Sequence, residues 1–375
     1  MCLNPVAITR EVAGRKYTEH VPCGKCNECI KDKQNEYIIR SMEEAQKRGN
    51  VWFFTLTYAP ANVPLKVDID GEIIEEDPET GEVIFSENSK IMSLNRSDIT
   101  SWKKRVRTKL NKRRKSHGQS PLDFGYMICG EYGPQTHRPH YHGLFIGLER
   151  EDVMEFKQDW ESHYGFTTFS YIPSIPVDGV NQVERTSRYV SKYIVKMTDI
   201  EDDAVKQCKV EKPRKQTSVG YGMPTRKKFE QMRRYHLCED MFPGYDVDKL
   251  YEMERSDVSR LVREVIKRRR YKISGVSYKL PSYYKKRLFY VKDEFTGKDR
   301  ASRLQSLVSK TLEMDVRKDY SRKLAEMASH YEDPDAPETY FRASRDLQKS
   351  EEIRRQEVSE TLFETNLKYI RKSRF

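Results

Sequence analysis

The sequence has no long apolar run, since none of its hydrophobic stretches approaches the roughly 20 residues that cross a lipid bilayer. It also begins without the basic flank and apolar stretch of a signal peptide. Cysteine is scarce, with seven in 375 residues, and the close spacing of Cys23, Cys26 and Cys29 does not suit a disulfide framework. We therefore expect a protein of a reducing, cytoplasmic compartment with no membrane partner.

Acidic residues are outnumbered by basic ones, 58 against 69, which gives a formal net charge of +11. Charged residues make up 34% of the chain, but 37% of residues are hydrophobic and 11% aromatic, so a folded core is expected. The length of 375 residues suits one large domain or two modest ones. The basic excess favours a polyanionic partner, and nucleic acid more than a membrane surface.

The order of predicted elements indicates the fold class. Aromatic and β-branched residues from Val51 to Tyr58 predict a buried strand. A helix, two strands joined by a turn, a second helix and another strand follow, and a further helix covers about 184–197. This β-α-β-β-α-β order predicts an α+β protein with a split βαβ (ferredoxin- or RRM-like) antiparallel sheet covered by helices.

Composition divides the chain into three predicted regions. Residues 1–50 form a small cysteine-bearing leader and a polar helix, and residues 51–200 form the sheet domain. An acidic stretch at about 65–90 contains two turn signals and predicts a hairpin inserted into that domain. Residues 201–375 are rich in charge and predict a mainly helical, basic C-terminal region.

Two basic segments are candidates for nucleic-acid binding. The helix predicted from about residue 98 to 115 has apolar residues at helical spacing, and its other faces carry the candidate DNA-binding side chains Lys103, Lys104, Arg105 and Arg107. Between about residues 267 and 290, cations alternate with aromatic residues. That pattern suits single-stranded nucleic acid, but it suits a basic helix surface with packed tyrosines equally well.

Three histidines within six residues form the first candidate site. His140 and His142 begin a predicted strand two residues apart, so their imidazoles point to the same face. A hairpin would bring Glu131, at the end of the preceding strand, beside them. Two imidazoles and a carboxylate could hold Mg²⁺ or Mn²⁺ and leave coordination positions open for a phosphodiester. The alternative is that the histidines only decorate a loop.

A pair of tyrosines forms the second candidate site. Tyr189 and Tyr193 are one helical turn apart, so both hydroxyls lie on one face of the predicted helix. A tyrosine can act as a covalent nucleophile when its phenol is activated and its target is polarised. Lys192 and Lys196 could lower the pKa of a phenol or hold a phosphate. A tyrosine pair alone is typical of packing, and its coupling to the histidine pair is what favours catalysis.

These motifs resemble those of a known family. The segment His140-Tyr141-His142 is similar to the His-hydrophobe-His (HUH) motif, and the two tyrosines are similar to a two-tyrosine nucleophile motif. The strand segment 54–58 resembles the first motif of rolling-circle initiators. The layout, with the cysteine stretch 22–29 and the segment 280–285, resembles the replication initiators of microviruses, the small single-stranded DNA bacteriophages, and most closely their gokushovirus branch. The resemblance extends to about residue 290 and is strongest over 53–196.

The resemblance implies a function for each site. Region 51–200 would be an HUH endonuclease domain in which a metal on His140, His142 and Glu131 polarises the scissile phosphate of a replication origin. One tyrosine would attack to leave a 5′-phosphotyrosine and a 3′-OH for the host polymerase. The second tyrosine would later attack the regenerated origin, and the displaced strand would be closed into a circle. Single-stranded origin DNA, a host helicase and the polymerase are the implied partners, in the host bacterial cytoplasm.

Two assignments stay open in the sequence. The third metal ligand of HUH enzymes can also be a histidine or an amide, and His137 lies close enough to compete with Glu131, which is favoured for its position at a strand end. The cysteines Cys23, Cys26 and Cys29, with the distant Cys2, could hold a structural Zn²⁺ or remain reduced, unliganded thiols. The other cysteines, at positions 129, 208 and 238, are interpreted as ordinary thiols.

Two other functions compete with a replication initiator. An HUH transposase or relaxase is one, although such transposases are usually shorter with one tyrosine, and many relaxases place the tyrosine before the histidines. The second is a non-catalytic basic protein that binds single-stranded DNA. Substitution of both tyrosines discriminates between a nuclease and such a binder, because a binder does not depend on the two hydroxyls.

Overall fold

The structure is a computed structural model, and it describes residues 6–12, 15–24, 26–67, 73–76, 83–85, 90–133, 136–173, 177, 181–195, 210–273, 275–294, 296–331, 333, 339 and 342–347. The chain folds into two compact units. The first consists of Met1–Gln231 and Arg270–Ser282, and the second of Met232–Arg269 and Tyr283–Phe375.

The first unit contains a five-stranded antiparallel sheet and four long helices. Its helices are α1 (Asn27–Arg48), α2 (Arg96–Ser116), α3 (Arg150–His163) and α4 (Gln182–Val195). The N-terminal hairpin is β1 (Val6–Val12) and β2 (Arg15–Val21), and the strands of the sheet are β3 (Val51–Tyr58), β8 (Gly125–Tyr132), β9 (Pro139–Ile146), β10 (Gly165–Ile172) and β11 (Lys215–Thr217). The predicted α+β class and antiparallel sheet are confirmed.

The strands of the sheet lie in the order β10-β3-β9-β8-β11. Strand β3 pairs with β9 on one side and with β10 on the other. The elements β3, α2, β8, β9, α3 and β10 follow one another as the sequence predicts, while the short edge strand β11 was not predicted. The split βαβ assignment itself stays an interpretation of this order.

One face of the sheet forms the hydrophobic core with α2 and α3. Strand alternation turns Phe54 and Leu56 of β3 and Tyr141 of β9 to this face, where they meet the buried Trp102 and Trp160 of the helices. Each large side chain removed from water here contributes about 1.5–3 kcal/mol to stability. The alternate residues of β3 and β9 therefore point to the opposite face.

A glycine is required where β9 crosses the ring of Phe54. A Cβ atom at Gly143 would overlap with that ring and come within 2.8 Å of the carbonyl oxygen of Met127. The missing side chain lets the Phe54 ring lie against β9, directly beside the strand position of His142.

The opposite face is covered by α4, which contacts β8, β9 and β10, and α1 packs along α4. The sequence predicts a polar helix at α1, but its residues 37–44 are buried without interruption. Buried carboxylates there are paired: Glu43 accepts hydrogen bonds from Lys228 and Tyr271, and Glu44 accepts one from the backbone N–H of Gly222 at 2.7 Å. These bonds compensate the desolvation of two charges and fix the middle of α1.

The acidic segment between β3 and α2 contains two small antiparallel pairs. A 3₁₀ turn at Pro60–Asn62 precedes them, and the pairs are β4 (Leu65–Val67) with β7 (Lys90–Met92) and β5 (Ile73–Glu76) with β6 (Val83–Phe85). The first unit also includes most of α5 (Arg226–His236) and the hairpin of β12 (Arg270–Ile273) and β13 (Val276–Lys279).

The second unit is mainly helical. It contains a 3₁₀ turn at Leu250–Glu252, the helices α6 (Arg255–Lys267), α7 (Ser282–Phe289) and α8 (Arg303–Ala328), and a hairpin of β14 (Tyr290–Lys292) and β15 (Asp299–Ala301). Helices α6 and α8 pack together through buried aliphatic residues, among them Leu261, Val265, Leu304 and Val308. Among the described residues, no helix combines the length and apolarity that a membrane span requires.

Candidate active site

Three potential metal ligands converge on the face of the sheet that α4 covers. Glu131 on β8 and His140 on β9 are cross-strand partners, and His142 follows two residues later on the same face. The Nε2 atoms of His140 and His142 lie 3.3 and 3.4 Å from the same carboxylate oxygen of Glu131. Donor atoms this close can all reach one ion at bond lengths of about 2.0–2.2 Å. The structure thus brings together the predicted set of two imidazoles and a carboxylate.

The outer hydrogen bonds of both imidazoles suit metal binding. His140 Nδ1 lies 3.0 Å from the carbonyl oxygen of Arg138, which only accepts, so the proton is assigned to Nδ1 and Nε2 keeps its lone pair. His142 Nδ1 lies 3.1 Å from the hydroxyl of Thr55, its cross-strand partner on β3. A proton on that Nδ1 also leaves Nε2 as a ligand. Such outer contacts orient metal-binding histidines.

Tyr189 of α4 lies beside this group. Its side chain is 43% exposed, and its ring meets the His142 ring edge to face, with 6.2 Å between the ring centroids. The exposed phenol is therefore accessible to a substrate while its ring stays in contact with a metal ligand. Val190 and Ser191, the next residues of α4, are buried and hold the helix against the rest of the unit.

Phe53 and Thr55 are site residues that the sequence did not single out. The Phe53 ring stacks on His142 with an interplanar angle of 8° and meets Tyr189 edge to face at 5.7 Å. Both residues belong to β3, which the sequence predicts as a uniformly buried strand, yet both are only half-buried. Period-two alternation along β3 was the available signal, because it separates these positions from the core residues Phe54 and Leu56.

The other predicted catalytic residues are described only in part. Tyr193 lies in α4, one turn after Tyr189, and its side chain falls outside the described part of the structure. Lys192 is half-buried on the same helix, whereas Lys196 lies outside the described residues. His137, the competing third ligand, is exposed in the turn with φ of 49° and does not belong to the metal-ligand cluster.

Cys129 is the cross-strand neighbour of His142 on β8. It is completely buried, and this burial raises the pKa of its thiol to about 12. The thiol is therefore neutral at physiological pH and is not a competing metal ligand, in agreement with its interpretation as an ordinary core thiol.

An exposed aromatic side chain shares a cross-strand row with the metal ligands. The register aligns Phe166 of β10 with Thr57, His140 and Glu131 on the successive strands. Phe166 is 63% exposed, and at a strand spacing of about 4.8 Å its backbone lies about 10 Å from that of His140. Thr168 and Ser170 continue the exposed row along β10. This edge of the site offers an aromatic surface with hydroxyl groups.

The four predicted DNA contacts of α2 are on the opposite side of the sheet, because α2 packs on the core face. Arg105 binds Asp159 through two nitrogens of its guanidinium, at 2.7–3.2 Å. Lys103 lies over the Tyr126 ring, and burial followed by the charge of Arg96 lowers the pKa of its amine to about 8. Lys104 and Arg107 are exposed.

The aromatic residues of the second basic segment are largely packed. Tyr271 and Tyr278 are buried in the first unit, and Tyr284 and Phe289 are buried in the second. These four rings cannot stack on bases without leaving their cores. For them the structure favours packing over nucleic-acid binding.

The thiols of Cys23, Cys26 and Cys29 form a second group of possible ligands, with their sulfur atoms within 4.8 Å of one another. Cys2, the fourth predicted member, lies outside the described residues, as does Cys208. Cys238 is buried in the second unit.

Comparison with known proteins agrees with this geometry. Residues 51–198 match the family model of the replication-associated protein ORF2, a segment that contains the metal ligands, Tyr189 and Tyr193. The chain is 30% identical to the replication-associated protein VP4 of Bdellovibrio phage phiMH2K over 146 residues. It is 23% identical to the replication-associated protein ORF2 of Spiroplasma virus 4 over 266 residues. These matches support a rolling-circle replication initiator of the HUH type.

The extent of these matches differs between the relatives. The VP4 match covers 39% of this chain and 36% of VP4, so about a third of that protein is spanned. The ORF2 match covers 68% of this chain and 74% of ORF2. A solved structure, the N-terminal nuclease domain of the minute virus of mice non-structural protein 1, is 11% identical over 56% of this chain and 82% of that domain, with a TM-score of 0.16. At that score it carries no weight here.

Proposed function

We propose that this chain is a metal-dependent DNA endonuclease and strand transferase that nicks single-stranded or replicative-form phage DNA at an origin and later recloses it. The observation that carries the proposal is the contact between Tyr189 and His142, since it puts a potential nucleophile beside a potential metal ligand. A histidine pair alone can decorate a loop, and a tyrosine pair alone is typical of packing. A packed arrangement of both, with the Glu131 carboxylate against the two imidazoles, is expected of a phosphodiester transesterase.

Glu131, His140 and His142 would hold Mg²⁺ or Mn²⁺, since a mixed nitrogen and oxygen set with open positions suits these ions. The bound cation would polarise the scissile phosphate and offset its developing negative charge. Arg138 and Thr55 contribute by holding the two imidazoles in the tautomer that leaves Nε2 as the ligand. The carboxylate of Glu131 reduces the positive charge at the site.

Tyr189 would supply the attacking oxygen. Its phenol oxygen loses a proton and bonds to phosphorus, the bond from phosphorus to the 3′ oxygen breaks, and that oxygen takes up a proton. The products are a 5′-phosphotyrosine and a 3′-OH from which a polymerase can extend. Tyr193 would make the second attack after one round of synthesis, and the free 3′-OH would then displace a tyrosine to close the circle. Lys192 and Lys196 would stabilise the phenolate or the phosphate.

DNA would enter along the β10 edge of the active-site face. Phe166 offers a base an exposed ring about 10 Å from the metal ligands, a distance of one or two nucleotides. Thr168 and Ser170 offer hydroxyls along the same strand. We further propose that the host helicase and polymerase act with this protein in the host cytoplasm, as its replication-associated relatives suggest.

The test is an adduct assay on labelled single-stranded circles that carry candidate hairpin origins, with Mn²⁺ and with or without EDTA. We expect a DNA-protein adduct on denaturing gels that EDTA abolishes. The Tyr189→Phe/Tyr193→Phe double variant should form none, and each single variant should retain some. The matched control is Tyr171→Phe, because Tyr171 is 49% exposed against 43% for Tyr189 and lies far along β10. Salt-sensitive binding without any adduct, across all candidate origins, would identify a plain DNA-binding protein instead.

A further inference from the structure

We propose that Cys23, Cys26 and Cys29 bind a structural Zn²⁺ ion that fixes the beginning of α1, the helix on which α4 packs. This site is separate from the proposed catalytic metal and does not depend on the nicking reaction. The three sulfur atoms lie within 4.8 Å of one another, and those of Cys23 and Cys29 are 4.0 Å apart.

The sulfur separation suits a shared ion and not a disulfide. Bonds of about 2.3 Å to a tetrahedral Zn²⁺ place two sulfur atoms about 3.8 Å apart. A disulfide requires a separation of about 2.05 Å. Closing 4.0 Å to that length would require the backbone at Cys23 or Cys29 to move, whereas an ion needs almost no adjustment. Zinc is the expected metal, because clustered thiolates prefer it over Mg²⁺ or Mn²⁺.

The backbone around the cluster also suits thiolate ligands. The N–H of Cys26 points at the sulfur of Cys23 at 3.3 Å, which is the kind of outer hydrogen bond that supports a bound thiolate. Cys26 is the N-cap residue of α1, where Ser, Thr, Asp or Asn is preferred, so capping does not explain a cysteine there. Cys29 lies in the first turn, and the partial positive charge of a helix N-terminus favours negative ligands.

Three thiols would release three protons and hold one Zn²⁺ in a site with a net charge of −1, and a water molecule would complete the tetrahedron. The ion would fix the first turn of α1, as the bonds of Glu43 and Glu44 fix its middle. Since α4 packs along α1, this helix then supports Tyr189 from behind.

The zinc content of the purified full-length protein tests the proposal. To remove the catalytic site from the measurement, the metal is quantified in the His140→Ala/His142→Ala variant by mass spectrometry after dialysis against metal-free buffer. We expect one zinc per chain, released by a thiol-reactive mercurial. Adding Cys23→Ser should abolish it, and Cys29→Ser should do the same. The control Cys238→Ala, in the second unit, should keep the zinc.

The half-buried position of Cys23 makes its serine variant the safer one for folding, and circular dichroism verifies that it folds. Replacement of zinc by Co²⁺ should give the strong absorption of a tetrahedral thiolate site in the histidine double variant and not in Cys23→Ser. Absence of zinc and cobalt binding in the histidine double variant, or full zinc in folded Cys23→Ser, would overturn the proposal. Neither result depends on nicking, so the proposed function is judged separately.

Discussion

The ring of Tyr189 meets the ring of His142 edge to face, with 6.2 Å between their centroids. The two residues come from different elements, α4 and β9, so their contact depends on how the helix packs against the sheet. Phe53 contacts both rings and acts as a spacer between them. The distance from nucleophile to metal ligand is thus set by packing as well as by the choice of catalytic residues.

Removal of a metal ligand should abolish cleavage and leave DNA binding. We expect His140→Ala or His142→Ala to lower adduct formation by more than about 100-fold, since even the loss of a group that only hydrogen-bonds to a ligand costs about 10–100-fold. Phosphate contacts elsewhere are a separate contribution to affinity, so salt-dependent binding should change little. Adduct rates and binding isotherms measured on the same preparations check this. Full activity of either variant at saturating Mn²⁺ would exclude the proposed metal site.

Replacement of Thr55 tests the support of His142. Thr55→Val keeps the shape but removes the oxygen that lies 3.1 Å from Nδ1, so the imidazole loses its fixed orientation. We expect apparent Mn²⁺ affinity in the adduct assay to fall by about 10–100-fold, with the rate largely restored at high Mn²⁺. Thr168→Val is the matched control, because Thr168 is the exposed partner of Thr55 on β10. An equal loss in both variants would mean that the hydroxyl of Thr55 has no special role.

Replacement of Phe53 tests the spacing of the nucleophile. Phe53→Leu removes the ring that contacts Tyr189 and His142 while it keeps an apolar side chain on β3. A displacement of about 1 Å at a reacting group can cost about 100-fold, and we expect a fall of about tenfold in the single-turnover rate at saturating Mn²⁺. The metal affinity should stay within about threefold. Unchanged single-turnover kinetics would show that Phe53 only fills space.

Phe166 is expected to stack on a base close to the scissile phosphate. Phe166→Ala should weaken binding of single-stranded origin DNA by about 1–3 kcal/mol, or about 5- to 150-fold in Kd, while Phe166→Trp retains it. Tyr171→Ala is the control, since Tyr171 is also exposed but points to the opposite face of β10. Fluorescence anisotropy measures all three affinities. Equal affinities for the alanine and tryptophan variants would exclude a stacking role.

Lys104 and Arg107 stay predicted phosphate contacts of α2. Charge reversal at both should weaken binding to all sequences alike and reduce the slope of log K against log salt by about 1–2. Lys103→Met should leave that slope unchanged, because the Lys103 amine donates to Gln216 at 3.0 Å and lies over the Tyr126 ring. A sequence-selective loss after the charge reversal would mean that α2 reads bases.

Strand alternation and spacing predicted much of the site from the sequence. They put His140 and His142 on one face and Glu131 opposite them, because a tight hairpin leaves few registers for β8 and β9. They could not identify Phe53 as a neighbour of Tyr189, since that contact depends on which face α4 covers. They also overstated α2, where the ion pair of Arg105 with Asp159 uses a side chain that the sequence assigned to DNA.

The fold was predictable where elements are long and failed where they are short. The alternating segment of β3 and the helical spacing of α2 carry strong periodic signals, and both elements were found. The edge strand β11 has three residues, too few for any period to be read. The buried course of α1 was missed because Glu43 and Glu44 make it look solvent-exposed, although both carboxylates are satisfied by distant partners.

The pairing of β3 with β9 has a consequence for when the protein becomes active. Thr55 and His142 are 87 residues apart in the chain, so the wall of the site closes only after a long loop has been joined. During translation, a nascent chain that has not reached β9 contains neither histidine. Newly made protein therefore cannot begin to cut DNA before its sheet is assembled, and the order of synthesis itself delays a potentially harmful activity.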